Sequence, residues 1–284
     1  MGFLRRKFMV AAEIIIGLLL LAAIYFIQPY SALKSDFSKK VNLAAADMRI
    51  KAEKFTEEDI AKLPEPVKKY FRCCGYIGKQ KMSFMKAEFK NVSFSTGVGK
   101  PTLKIDYTQY NFAQKPQRFA FIDSSMFFIP FQGFDCFQDG TGSMKGVIAK
   151  TFTLFDQRGP DMDKASLVTV LSESLLVPNV ALQDYIIWEA VDETHAKAKI
   201  IFNGVSAGGV FSFNEKGEMT SFTTDDRTAV DFSGNKRHVK WSAVCGGYRN
   251  DNGIKKPSEL RAIWHYPEGD QTYFDGKNVL ISFY

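Results

Sequence analysis

DMDKASLVTVLSESLLVPNVALQDYIIWEAV, Asp161–Val191, changes its period partway along, and that change decides the fold. Leu167, Val168, Leu171 and Leu175 recur at helical spacing, while Ser166, Thr169, Ser172 and Glu173 take the other side. Residues 163–176 therefore read as an amphipathic helix with one face to bury. Asp161 or Asp163 is placed to cap its first turn, and Pro178 bars its continuation. YIIWEAV, which follows, reads as a strand, so the surface available to bury this helix is a β-sheet.

Working outward, the period is two on both sides of the helix. SFMKAEFKNVSF, TLKIDYTQY, RFAFIDSS, GFDCFQD and SMKGVIAK precede it as strands; HAKAKIIF, GVFSFNE, MTSFTTDD, HVKWSAV, ELRAIWHY and TYFDGKNVLISFY follow. Asn203-Gly204 signals a two-residue hairpin, and NEKGE and PEGD suit tight turns. Strand follows strand through short loops, which predicts a mainly β, largely antiparallel sheet. Nothing from residue 80 to 284 marks a linker or a repeat.

Toward the N-terminus, Phe8–Ile27 is apolar except for Glu13, long enough to span a bilayer as a helix. We read it as an uncleaved transmembrane anchor, residues 8–28, behind a short cytoplasmic leader, residues 1–7. A cleaved signal peptide is the competing reading, although QPYSALKSDF offers no small-x-small pair in the expected place. Arg5, Arg6 and Lys7 favour a cytoplasmic N-terminus and put the remaining chain outside the cytoplasmic membrane. Residues 29–62 are polar and helix-prone and read as a helical stalk, with Thr56 and Asp59 at capping-box spacing. In LPEPVKKYFRCCGYIGK, Leu63–Lys79, Pro66 suits a first helical turn, Val67, Tyr70 and Phe71 share a face, and Gly75 supplies a stop.

The net charge of +6 excludes less than it suggests, because Arg5, Arg6 and Lys7 against Glu13 carry part of it. The rest of the chain holds 34 basic and 30 acidic side chains, dispersed over many turns, which predicts no nucleic-acid partner.

LPEPVKKYFRCCGYIGK, DGTGSM, DKASLVTVLSESLLVPNVAL with IIWEAVDETHAKAKI, FNEKGEM, and YRNDNGIKKPSELRAIWHY with TYFDGK resemble, in that order, an uncharacterised bacterial family of often membrane-anchored proteins. The resemblance covers roughly Leu63–Tyr284, and the order and spacing carry it rather than any one motif. It implies a fold like the lipoprotein-carrier and lipoprotein-localisation-factor proteins: a single curved antiparallel sheet, an open half-barrel over residues 63–284, with helices on its concave face. The anchor and its flanking charges, for their part, predict a single-pass protein of the bacterial inner membrane whose C-terminal domain is periplasmic. The resemblance carries no catalytic residue. Cys73-Cys74 and Leu176-Val177 depart from the family's usual residues.

The motifs of chemistry are weak. Gly204-Val-Ser206-Ala-Gly208 matches a G-x-S-x-G nucleophile pattern, with His238 and His265 later in the chain, but a strand rather than a helix follows it. A serine hydrolase using Ser206 is therefore the least favoured function. DGTGSMKG lacks a phosphate loop's spacing, and NDNG lacks the rest of a calcium loop. His195, His238 and His265 lie on separate strands with no C-x-x-C to anchor zinc, so neither a metal nor a cofactor is expected. Among the four cysteines, Cys136 with Cys245 is the pairing to test first for a disulfide in an exported domain; buried free thiols are the other reading.

SMFFIPFQGFDCF, Ser125–Phe137, packs five Phe around a Pro and a Gly, so part of it is not expected to be regular strand. The rings either complete the core beneath the helix or line a cavity for an acyl chain. On the second reading Phe127, Phe128, Phe131 and Phe134, with Leu171, Leu175 and Trp188, line an apolar ligand site. The function expected is a membrane-anchored, non-catalytic binding protein holding a lipid, acyl chain or other apolar ligand. The alternative is an envelope sensor or interaction module that binds another envelope protein through a sheet edge or exposed aromatics.

Overall fold

A computed structural model describes residues 2–48, 53–95, 97–126, 129–230 and 235–284. Helix α1, Gly2–Ile27, is apolar on every side from Ile14 onward, and none of its most hydrophobic stretch is buried by protein. Its length and apolar composition suffice to cross a membrane. Ser31 then caps α2, Ala32–Ala46, its Oγ accepting the Lys34 N–H at 3.1 Å. Leu33, Phe37, Val41 and Ala44 form one stripe of α2, and all four are buried. The segment read as a stalk is thus in part a packed helix.

Thr56 and Asp59 make the reciprocal hydrogen bonds of a capping box, but around a succession of turns rather than an α-helix. Helix α3, Glu65–Cys73, has Pro66 in its first turn and buries Val67, Tyr70 and Phe71, as the sequence predicts. Gly75 stops it at φ +77°, where a Cβ would also meet the Gly253 carbonyl oxygen at 2.4 Å.

Before the central helix run β1 Phe84–Ser95, β2 Thr102–Phe112, β3 Gln117–Met126, β4 Ile129–Gln138, β5 Thr141–Ile148 and β6 Phe152–Arg158. Helices α4, Pro160–Ser172, and α5, Pro178–Ala181, follow. Then come β7 Ile186–Ala190, β8 His195–Phe202, β9 Val205–Phe213, β10 Met219–Thr224, β11 Thr228–Val230 and β12 Lys236–His238. The chain ends with β13 Lys240–Gly246, β14 Arg249–Asp251, β15 Ile254–Lys256, β16 Glu259–Tyr266, β17 Gly269–Lys277 and β18 Leu280–Phe283.

Fourteen strands form one antiparallel sheet in the order β6-β5-β4-β3-β2-β1-β17-β16-β13-β10-β9-β8-β7, with β18 also on β1. Helix α4 touches β4, β5 and β6 near one end of that order and β8 and β9 near the other. A flat sheet would not allow this, so the sheet curls around α4 and its concave face is the one that α4 fills. The ends β6 and β7 do not pair with each other, and the half-barrel stays open. The turns at the two ends do meet, through Asn203 Nδ2 donating to the Asp139 carbonyl at 2.9 Å.

Three local expectations change. Helix α4 begins earlier than predicted, at Pro160, a residue pre-set for a first turn, and Gly159 at φ +104° precedes it without a side-chain cap. Asp163 instead accepts the Gly142 N–H at 2.7 Å and ties the helix start to β5. The Phe-rich segment is strand on both sides of residues 127–128, because Pro130 sits beside the hairpin end opposite Ser125 and Gly133 leaves room for Ile122 and Met144. Strand β6 was not legible in FTLFDQR: an edge strand exposed along most of its length has no buried face to impose alternation.

A candidate ligand cavity between sheet and helix

Period two divides β4 between the two faces of the sheet. Phe131, Asp135 and Phe137 turn to the concave side, while Phe134 and Cys136 turn to the convex side and pack under α2. Phe37 of α2 meets Phe121 at 5.4 Å and Phe134 at 5.6 Å between ring centroids. Phe112, Phe119 and Val147 complete that second core.

On the concave side a cavity of about 900 Å³ opens beside α4, at the large end of the range for ligand sites. Phe89, Tyr107, Ile122, Phe131 and Met144 line one side of it. Trp241, Leu260, Trp264, Tyr273 and Phe274 line the other, and Ala165, Thr169 and Leu176 form the helix side. The aromatic wall is braced edge to face, with Phe274 5.4 Å from Phe89 and 5.2 Å from Tyr107. Trp241 Nε1 donates to the Tyr273 hydroxyl at 3.1 Å.

A polar knot closes the end of the cavity where α4 stops. Arg118 on β3 is 5% exposed. Its Nε donates to Glu173 Oε2 at 2.7 Å, its Nη1 to Asp135 Oδ2 at 2.7 Å and its Nη2 to the Tyr107 hydroxyl at 2.6 Å. Asn111 Nδ2 adds a second donor to Glu173 at 2.7 Å, and Gln109 donates to Asn111 at 2.9 Å. Burial works against the Arg118 charge, but Glu173, Tyr107 and Asp135 more than offset it and hold the guanidinium protonated. Burial also raises the Tyr107 phenol well above its usual range, so it stays neutral. Glu173 is the C-cap residue of α4, so this knot pins the helix end to β2, β3 and β4.

Of the residues expected to line an apolar site, Phe131 stands on the wall of this cavity. Phe134 lies on the opposite face, under α2. Leu171 and Leu175 are fully buried in the core, and Trp188 packs on Phe211 at 5.1 Å with its Nε1 donating to the Ala181 carbonyl; none of the three is a cavity wall. Phe127 and Phe128 fall outside the described residues. Of the two readings of the cysteines, the structure has buried free thiols rather than a Cys136–Cys245 pair: Cys136 lies beneath α2, Cys245 faces the concave core, and all four cysteines are free. Burial pushes Cys136 up to about 11 and Cys245 up to about 12.

Sequence reasoning missed Arg118, Asp135, Glu173, Arg227 and the two cavity tryptophans. One signal was available. Arg118 shares the inward register of Ala120 and Ile122, and Asp135 that of Phe131 and Phe137, so two opposite charges occupy core positions of adjacent strands.

Ser206 lies in β9 opposite Ile201, after a two-residue hairpin turn with Asn203 at φ +47° and Gly204 at φ +79°. That is not the strand-to-helix elbow a G-x-S-x-G nucleophile needs. His265 bridges Ser242 Oγ at 2.9 Å and Asp270 Oδ1 at 2.7 Å, a Ser-His-Asp wiring. However, Ser242 alternates with the cavity residue Trp241, is 5% exposed and shares its hydroxyl with Thr223 at 3.0 Å. Among the described residues no group of three or more His, Cys, Asp or Glu could hold a metal ion.

The chain belongs to the family of unknown function DUF6544, whose profile matches residues 53–276. No curated protein matches it. Its fold is similar to the crystal structure of the LolA superfamily protein NE2245 from Nitrosomonas europaea, at 8% identity and a TM-score of 0.41 over 77% of this chain and 92% of that one. It is also similar to that of a DUF1329 family protein from Desulfovibrio piger, at 12% identity and a TM-score of 0.33 over 77% of this chain and 93% of the other.

Proposed function

We propose that this DUF6544 member is a membrane-tethered binding protein that holds a lipid, acyl chain or other apolar ligand in its half-barrel, without catalysis. The cavity of about 900 Å³ carries the reading: it is walled mainly by aromatic and aliphatic side chains and roofed by α4. An apolar cavity that size is costly to leave filled with water, and an acyl chain gives its walls the contacts they otherwise lack. Helix α1 supplies the tether, and Arg5, Arg6 and Lys7 near its start favour a domain outside the cytoplasmic membrane. The Tyr25 hydroxyl at the end of α1 meets Thr151 Oγ1 at 2.8 Å, which would hold the β5–β6 hairpin at the bilayer surface, close to a source of lipid.

The test is mass spectrometry of the full chain, purified gently into nanodiscs, washed and denatured. We expect one lipid class retained by the domain beyond what the nanodisc supplies; a ligand-free domain would refute the reading. A second reading, an interaction module, is favoured by edge strand β6, where Phe152 is 67% and Leu154 52% exposed. Crosslinking in cells from Leu154 separates the two: a module traps one envelope protein, a lipid holder does not.

A further inference from the structure

The cavity is not uniformly greasy, and its charges do not balance. Of its acidic lining residues, Asp135 and Glu173 are paired with Arg118, Asp156 with Arg158, and Asp161 with Lys236. Arg237 at the rim is paired with Glu268. Lys100, Arg227 and Arg261 are the remaining cations of the lining, and Arg227 is set against two indole rings. Its guanidinium carbon stands 4.4 Å from the Trp241 ring centroid and 5.4 Å from that of Trp264. Its Nε and Nη1 are buried and meet no hydrogen-bond acceptor among the described residues. Two aromatic faces hold the cation in place, but they leave the in-plane donors unanswered. A buried cationic donor without an acceptor is costly, and an incoming anion is the group that would relieve it.

We infer that Arg227, held between Trp241 and Trp264, is the anchor for an anionic group, a carboxylate or phosphate, at the head of an amphiphile whose apolar chain runs along the aromatic wall. This rests on the apolar-ligand reading and narrows it to acidic amphiphiles. The guanidinium fork suits both oxyanions, since each offers two oxygens in the spacing of its N–H groups. The Arg118 knot does not compete for the anion, because its cation already serves two carboxylates.

The protein carries its own reporter. Its three tryptophans are Trp188, Trp241 and Trp264, two of them beside Arg227 and none in α1. Full chain in nanodiscs is titrated with dibromostearate, whose bromines quench indole fluorescence at short range, and in parallel with its uncharged methyl ester. The acid should bind about 10- to 100-fold more tightly than the ester, the worth of a charge-assisted hydrogen bond. In Arg227→Met that preference should collapse while the ester's affinity holds, and Arg227→Lys should restore part of it. Equal binding of acid and ester by the unaltered chain would overturn the anion site and leave the apolar-ligand reading standing. Binding of neither would overturn both. Inorganic phosphate that displaces the acid but not the ester supports the same site with a free anion as its occupant; phosphate without effect assigns it to the amphiphile's own head. The acid-to-ester ratio of the unaltered chain needs no variant to fold.

Discussion

Replacing Arg118 by Met should destabilise the protein far more than replacing its partner Glu173 by Gln, although the two changes break the same ion pair. The side chains of Arg118, Glu173 and Asp135 are 6%, 15% and 24% exposed. One cation therefore serves two carboxylates in a largely dry site. Arg118→Met leaves both carboxylates without a cation, and removing one partner of a buried pair costs about 3–5 kcal/mol. Asn111 still donates to Glu173 and Asp135 keeps some water, which points to the lower end, about 3 kcal/mol. Glu173→Gln leaves Arg118 against Asp135 at 2.7 Å, a balanced pair, and an amide oxygen still in place; about 1–2 kcal/mol is expected. Urea unfolding of the full chain in mild detergent, followed by tryptophan fluorescence at neutral pH, measures both costs. Equal costs for the two variants, or an Arg118→Met cost below about 1 kcal/mol at neutral pH, would refute the reasoning.

Leu171 is 0% exposed on the sheet side of α4, and Leu171→Ala should cost about 2–5 kcal/mol by the same unfolding assay. Gly209→Ala should cost about 1–3 kcal/mol, since a Cβ there would stand 2.3 Å from the Phe222 ring and 2.7 Å from the Thr223 carbonyl oxygen. Brief alkylation near neutral pH, read by peptide mass spectrometry, should label Cys73 first: its half-buried thiol lies 3.8 Å from Cys74 Sγ and is lowered by that contact, whereas burial holds Cys136 and Cys245 at about 11 and about 12. Asp192 accepts the Thr194 N–H at 2.8 Å and bonds His195 Nδ1 at 2.9 Å, which holds its carboxyl down to about 2. A depressed folded value stabilises above the ordinary carboxylate pKa, and the contribution is lost as pH falls toward about 2. An NMR titration of the Asp192 carboxylate carbon checks the midpoint.

Much of this fold could be read from the chain itself, because its determinants are local. The helical stripe Leu167, Val168, Leu171, the stop at Pro178, the hairpin at Asn203-Gly204 and the long apolar run ending at Ile27 each act within a few residues of themselves. Backbone geometry converts such spacings directly into helix, strand or turn. What tertiary structure alone decided is which side of each strand meets which neighbour. Period two says that Phe131 and Phe134 point to opposite faces; it does not say which faces the cavity when α4 covers one side and α2 the other. Neither could spacing bring Arg118 to Glu173, 55 positions away, nor set Arg227 between Trp241 and Trp264. Those meetings depend on strand register across a curled sheet, and the candidate site is made of them.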